Sequence, residues 1–549
     1  MLHTNLALFK GEVVGQQSKN NKLNSEETLP KKLTQQILPS SQQTSPSQQT
    51  PPSQQTPPLQ QTSPLQQTPT PTPKPNIRLD PSISTNANTS TSLNATVVVD
   101  GVSVETSKKK RVMLCGTYPI GQSNGYSRVV YYISKFIGLK AVEDIQLTIY
   151  GFQNFKQTAG TRNDIPSNVI LHDAMATEEP KRGGFGEKEI GTYLKGHPQD
   201  IVIIFNDMVI TAACVETIVN ELTPMERKSF KLISYMDQVY PYQKKQYIQM
   251  LNTNFDGVIT FTPYWRSTVR KLGLEKRIPC YVFPHGFDHT LYYPIPRKVA
   301  RIFYNIPDNA FAILNLNRNQ PRKRFDHTMM AFALVVKKLY DLFLKYKEKL
   351  KIYEENSARN NNKMAQPMPP NPIRLVIGTA IDASWNLLEV LEHELMLLDV
   401  PFDFGKECII AVANPQQLSD RDINVLYNSC DIGLNTCEGE GFGLCQIEHL
   451  ALGCPQVCPK IGGLQEFANA NNSHVIETKW RYYVDKHRDG IGGIAEIGDP
   501  VDYAEAIWKY YSDPKLLSKH SKAGRNEIIQ HYKWETVVDH FHKILLDIN

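Results

Sequence analysis

The stretch that decides the fold is Asn435-Thr-Cys-Glu-Gly-Glu440-Gly-Phe-Gly-Leu-Cys-Gln-Ile-Glu448-His-Leu-Ala-Leu-Gly-Cys-Pro455. Residues 431–435 read as a short buried strand. A Gly-rich loop holding Glu440 follows, and the pattern predicts a helix from about Phe442 to Leu452. The first amides of such a helix are unpaired and carry the positive end of its dipole, which makes a site for a phosphate. Gly441 and Gly443, alternating with Phe442 and Leu444, let a ligand approach the backbone closely. Glu448 falls about one and a half turns into the helix. A carboxylate there can accept hydrogen bonds from the paired hydroxyls of a ribose joined to that phosphate, while Glu440 can reach a group on the phosphate's other side. A bare Gly-x-Gly turn with surface glutamates would imply none of this. Two glutamates eight residues apart around Gly-Phe-Gly-Leu, followed by Gly453-Cys-Pro455, favour a bound ligand.

Outward from this stretch, apolar runs of strand length alternate with helical periodicity. Residues 112–116, 145–150, 168–171, 201–205, 232–235, 257–261 and 280–283 read as strands, with a helix predicted over 126–137 after a Gly-rich loop. Continuous apolar runs such as 201–205 suit parallel strands covered on both faces. A second series follows Pro294-Ile-Pro296, with strands at 311–315, 373–378, 408–412, 431–435 and 456–459, a long amphipathic helix over 325–346, and further helices to the C-terminus. The expected class is therefore α/β with two Rossmann-like doubly wound domains, over 109–294 and 295–525, facing across a cleft at the carboxyl ends of their strands. Polar, Pro-ending sequence at 347–372 reads as an exposed insertion, and 526–549 as a C-terminal helix packing back toward the first domain. Residues 1–108, rich in Gln, Pro, Ser and Thr and repeating Gln-Gln-Thr-Pro, bury too little apolar surface to order and are expected to be a disordered tail, either expendable or a tether.

These motifs resemble those of the retaining GT-B glycosyltransferases, in particular the large family 4 group. Glu440-Gly-Phe-Gly-Leu-x3-Glu448 resembles its Glu-x7-Glu motif, and Pro455-Gln-Val-Cys-Pro-Lys-Ile-Gly462-Gly463-Leu-Gln-Glu466 its next strand and Gly-Gly loop. Asn315-Leu-Asn-Arg318-Asn-Gln-Pro-Arg-Lys323 resembles its Arg-x4-Lys element. Val282-Phe-Pro-His-Gly286-Phe-Asp288 resembles its linker, with His285 in place of Asn, and Tyr532-Lys-Trp534-Glu535 fits its last helix. The resemblance covers about 110–549. It implies a nucleoside diphosphate sugar as donor, with Glu448 on the ribose, Glu440 on donor sugar hydroxyls, and Arg318 and Lys323 neutralising the leaving diphosphate. The chemistry is consistent with this. Breaking a glycosyl–phosphate bond builds negative charge on the departing oxygen, and fixed cations beside it stabilise the transition state.

In the first domain, Gly116-Thr-Tyr-Pro-Ile-Gly121-Gln-Ser-Asn-Gly125 stands between a strand and a helix, so amides around Gly125 can close over the diphosphate. The acceptor side departs from the family: Phe205, Asn206 and Met236 stand where relatives often carry His, which leaves Asp237 as the acceptor-side carboxylate and His172 as a further candidate. The bland readings are a helix N-cap for Asp237 and a structural role for His172.

With 60 Lys+Arg against 55 Asp+Glu, the net charge of +5 argues against a polycation that coats nucleic acid. Nine scattered cysteines form no CxxC pair, which suits reduced thiols and offers no zinc ligand set. No Asp-x-Asp stands at a strand end, so cations and the helix start are expected to hold the diphosphate with no metal and no other cofactor. No apolar run reaches the roughly 18 residues of a membrane span, and the first ten residues are too short and polar for a signal peptide. A cytoplasmic enzyme is expected, with peripheral membrane contact open to the basic first domain. The activity this implies is transfer of a hexose-type sugar from a nucleoside diphosphate sugar to a hydroxyl acceptor with retention of configuration. The rival reading is a catalytically inactive GT-B-like binding or scaffold protein, prompted by the acceptor-side substitutions.

Overall fold

A computed structural model describes residues 97–99, 102–104, 109–122, 124–154, 162–178, 184–358, 365–412, 418–484 and 492–549. Of the stretch expected to be a disordered tail, only Val97–Val99 and Val102–Val104 fall within the described residues, where they pair as antiparallel strands; the Gln-Gln-Thr-Pro repeat lies outside them. Residues Ser107–Asn549 form one unit.

This unit holds two parallel sheets. The first has seven strands, in the spatial order Ile170–Asp173, Ile145–Phe152, Lys110–Thr117, Ile201–Asn206, Lys231–Met236, Gly257–Thr260, Cys280–Val282. The second has six, in the order Ile409–Val412, Ile373–Gly378, Phe311–Asn315, Ile432–Leu434, Gln456–Pro459, His474–Ile476. In each, the chain order reverses beside the sheet's first strand in sequence, between Lys110–Thr117 and Ile201–Asn206 and between Phe311–Asn315 and Ile432–Leu434. Such a reversal leaves a crevice at the strands' carboxyl ends. Central strands such as Ile201–Asn206 are buried along their whole length, which explains their unbroken apolar runs.

Three expectations are corrected. The helix begun at Phe325 does not stop at Tyr346 but continues to Ala358. Its buried residues end at Leu339. Beyond that point the sequence is polar yet free of Gly and Pro and rich in Lys, Leu and Glu, so helix propensity carries it on. The expected insertion thus begins no earlier than residue 359, and 365–372 is irregular. Where helices were expected after Pro459, the structure places strand His474–Ile476 and an antiparallel pair, Thr478–Val484 with Gly493–Gly498. Thr, Trp, Tyr and Val in Thr478–Val484 are strand formers, and that composition was the overlooked signal. The helix after Glu440 starts at Leu444, two residues later than expected, because Gly443 takes a left-handed conformation with φ 98°.

The C-terminus is two helices, Pro514–His531 and Trp534–Asp547. The second lies on the first-domain helix Gly125–Lys140: Trp534 stacks on Tyr132 with ring centroids 4.8 Å apart, and Lys110 Nζ donates to the carbonyls of Leu545, Leu546 and Ile548. Its start crosses the segment that leaves the first sheet, where Trp534 N donates to Phe287 O and Phe287 N to Tyr532 O. Gly286 makes this crossing possible, since a Cβ there would lie 2.8 Å from both Trp534 N and Tyr532 O. Gly286→Val is expected to destabilise the protein by about 1–3 kcal/mol through overpacking against backbone, read as a lowered thermal midpoint.

Candidate active site

The loops after Phe311–Asn315 and Ile432–Leu434 leave neighbouring strands, so Arg318–Arg324 and Asn435–Gly443 lie side by side. They are stitched together: Glu438 N donates to Arg322 O at 3.1 Å, Thr436 Oγ1 to Arg324 O at 2.8 Å, and Arg322 Nη1 to Gly439 O at 2.6 Å. Asn319 anchors the first loop by donating to Thr379 Oγ1, Ala380 O and Trp385 O. Lys323, at the end of a single 3₁₀ turn, reaches the Glu440 carboxylate directly, and Arg322 lies 3.9 Å from its other oxygen. Burial pushes the Glu440 carboxyl up, but Lys323 and Arg322 outweigh it and hold the group below its usual range. Arg318 is exposed, and no hydrogen bond or ion pair of its guanidinium occurs among the described residues. Desolvation and the like charge of Arg322 lower it from the ordinary guanidinium value. A cation facing another cation without an acid of its own suits an incoming anion.

Among the described residues no side chain caps the helix Leu444–Ala451, so its first amides keep donors free of a side-chain partner there. The opposing helix of the first domain differs. Asn124 accepts from Ser127 N in a capping box, and Gly125 lies against Leu444, where an added Cβ would be 3.9 Å from Leu444 Cδ1. Phe442 is a buried loop residue rather than the first helical one, packed 4.9 Å from His285 and 5.7 Å from Phe467.

Asp237 follows the strand Lys231–Met236 and comes up against the second domain. The place a Cβ on Gly441 would occupy is taken by Asp237 Oδ1. It does not cap the next helix, which begins at Lys245. It accepts instead from the Tyr126 hydroxyl at 2.6 Å. Burial raises its carboxyl to about 6, against the Tyr126 hydrogen bond and the Arg322 charge, with Asp207 and Glu440 adding to the rise. Two acids thus approach one another with opposite shifts, Glu440 held below its usual range and Asp237 raised above it.

Glu448, the carboxylate expected to take a ribose, is 1 % exposed, ion-paired with Arg128 of the first domain, and accepts from the Tyr427 hydroxyl at 2.9 Å. Burial raises its carboxyl above the usual value while Arg128 and Tyr427 pull it back. His172 sits on the outer edge strand of the first sheet, beside Tyr193 at 4.4 Å and Thr177 at 3.3 Å. The structure therefore brings Arg318, Lys323, Glu440, Gly441, Phe442, Gly443, Leu444, Glu448, Gly125 and Asp237 to one seam and leaves His172 outside it. Sequence reasoning missed Tyr126 and Arg128. Both fall in the first turns of the helix after the Gly-rich loop, and polar residues in a mostly apolar run, Tyr126-Ser-Arg128-Val-Val, were the available signal.

Comparison with solved structures settles the architecture. Anabaena HepE in complex with UDP and glucose superposes with a TM-score of 0.54, covering 80 % of this chain and 99 % of that one at 13 % identity. Sucrose-phosphate synthase from Thermosynechococcus elongatus gives 0.53, with the same coverage at 15 % identity. The chain has the GT-B fold. No family profile matches it. Among curated sequences it is 31 % identical over 259 residues to a D-inositol 3-phosphate glycosyltransferase of Geodermatophilus obscurus and 24 % identical over 263 residues to one of Saccharomonospora viridis. These matches cover 47 % and 48 % of this chain and 45 % and 48 % of the relatives, so the aligned part spans about half the length of the curated relatives. Among the described residues of this GT-B chain, no helix is long and apolar enough to cross a membrane and no cluster of His, Cys, Asp and Glu suits a metal ion.

The Tyr126 hydrogen bond lowers the Asp237 carboxyl, so Tyr126→Phe is expected to raise its midpoint above the value of about 6. Carbon NMR titration of carboxyl-labelled Asp checks this; an unchanged midpoint contradicts the pairing.

Proposed function

We propose that the protein is a glycosyltransferase that moves a hexose-type unit from a nucleoside diphosphate sugar to a hydroxyl acceptor, with retention of anomeric configuration and without a metal. The observation that supports this reading is the meeting, at one interdomain seam, of a helix start and a cation, Arg318, that have no side-chain cap and no acid partner among the described residues, the Lys323–Glu440 pair and the buried acid Asp237. The donor's diphosphate would lie on the amides of Leu444–Gln446 with Arg318 and Lys323 beside it, and Glu440 would face the sugar hydroxyls. As the bond from the anomeric carbon to the phosphate oxygen breaks, its electron pair goes to that oxygen, where Arg318, Lys323 and the helix start stabilise the charge. The acceptor oxygen bonds to the same carbon, and its proton passes to the Asp237 carboxylate or to the departing phosphate. The glycosyltransferases among the curated relatives and the UDP held by HepE support the donor class and make uridine diphosphate sugars the first to try.

Purified protein incubated with a panel of nucleoside diphosphate sugars and hydroxyl acceptors is expected to release nucleoside diphosphate. Lys323→Ala is expected to lower turnover by about 10²–10³ with nucleotide binding little changed, whereas Glu448→Ala weakens nucleotide binding. Nucleotide binding without release across the whole panel would favour the inactive binding protein, and wild-type behaviour of both variants would overturn the site.

The carboxylate form of Asp237 is the one that can take a proton. Its fraction falls as pH drops through about 6, so kcat/KM is expected to fall with it and to show an acid limb there. A flat profile from pH 5 to 8 would remove Asp237 from the reaction.

A further inference from the structure

Arg128 sits three residues after Gly125, and Glu448 four after Leu444. The packing of Gly125 on Leu444 sets the two helix starts face to face, and the Arg128–Glu448 pair lies one turn inside them. Arg128 is 6 % exposed, and its partners lie beyond the first sheet. Nη2 reaches Glu448 of the second domain and, at 2.7 Å, the hydroxyl of Tyr292 in the segment between the domains, while Nε has no acceptor among the described residues. The Tyr292 hydroxyl in turn donates to Asp420 Oδ1 at 3.0 Å, which also takes Arg162 Nη2 at 2.6 Å. The first domain thus sends an arginine into the second at the carboxylate assigned above to the ribose.

We propose that Arg128 is a donor-binding residue that exchanges Glu448 for the diphosphate of the incoming donor. The proposal rests on the donor-site reading above. Ribose hydroxyls arriving at Glu448 supply it with new donors and release the guanidinium, which cannot stay buried without an anion. The diphosphate arrives in the same event. The helix start lies about 6 Å from Glu448 at 1.5 Å rise per residue, a distance within the swing of an arginine side chain, and the planar fork of Arg suits phosphate oxygens. The two halves of the ligand are therefore coupled: a nucleoside alone strands Arg128, and a nucleoside diphosphate gives it a partner.

Calorimetric titration of the full chain with uridine and UDP, and with the guanine and adenine pairs if uridine nucleotides do not bind, separates this from a structural role. In Arg128→Met, the diphosphate is expected to bind about 10-fold or more weaker, with the nucleoside unchanged or tighter, so the diphosphate-to-nucleoside affinity ratio falls; Arg128→Lys recovers part of the loss. Weakening of both ligands by one factor, or of neither, would overturn the proposal. Should Arg128→Met fail to fold because Glu448 is left unpaired, Arg128→Met/Glu448→Gln is compared with Glu448→Gln alone, and the ratio must still fall. A wild-type chain that binds none of the three nucleotides removes the donor site itself, a different outcome from binding that ignores Arg128.

Discussion

The arrangement depends on the absence of space around Gly441. Its carbonyl accepts from Trp265 Nε1 of the first domain at 2.7 Å, and Asp237 Oδ1 fills the position of a missing Cβ. From the second domain, Gly463 N donates to Glu440 O at 3.1 Å, and Gly462 and Gly463 lie so close to the Glu440 and Gly441 carbonyls that neither could bear a side chain. One peptide is clasped from both sides. Glu440 before it and the helix start after it are fixed in position by that clasp, and preorganised charge of this kind needs no rearrangement when a reaction develops charge.

The clasp also sorts the buried acids by their partners. Glu438 is held by the Tyr482 and Tyr240 hydroxyls, with Arg324 at 3.6 Å, and so ties the Thr478–Val484 strand and a first-domain loop to the site. Glu440 belongs to Lys323 and Arg322, Glu448 to Arg128 and Tyr427, and Asp237 to Tyr126. Each buried charge has a named counterpart, as burial demands. Arg318 differs in being exposed, and among the described residues no acid pairs with it.

The two doubly wound domains were legible because periodicity and turn chemistry are local: unbroken apolar runs such as Ile201–Asn206 and the Gly-rich turn before Leu444 announce themselves. The second-domain candidates were picked out for the same reason, since Arg318 and Lys323 follow the strand Phe311–Asn315, Glu440 follows Ile432–Leu434, and Glu448 lies in the helix Leu444–Ala451. What could not be read was pairing across the seam. Nothing in the spacing says that Arg128 would find Glu448, 320 positions away, or that Tyr126 would find Asp237, 111 positions away. The run beyond Tyr346 was misread because polar composition was taken for loop where no residue breaks a helix, and the aromatic strand at Thr478–Val484 because tertiary pairing, not periodicity, makes it a strand.

Hydrogen exchange of the Leu444–Gln446 amides, followed with and without a nucleoside diphosphate, tests the central claim directly. These donors lack a side-chain cap, and if they hold the diphosphate their exchange slows on ligand addition together with that of the Arg318–Lys323 loop. Slowing confined to other parts of the chain, with these amides unchanged at saturating ligand, would contradict the account.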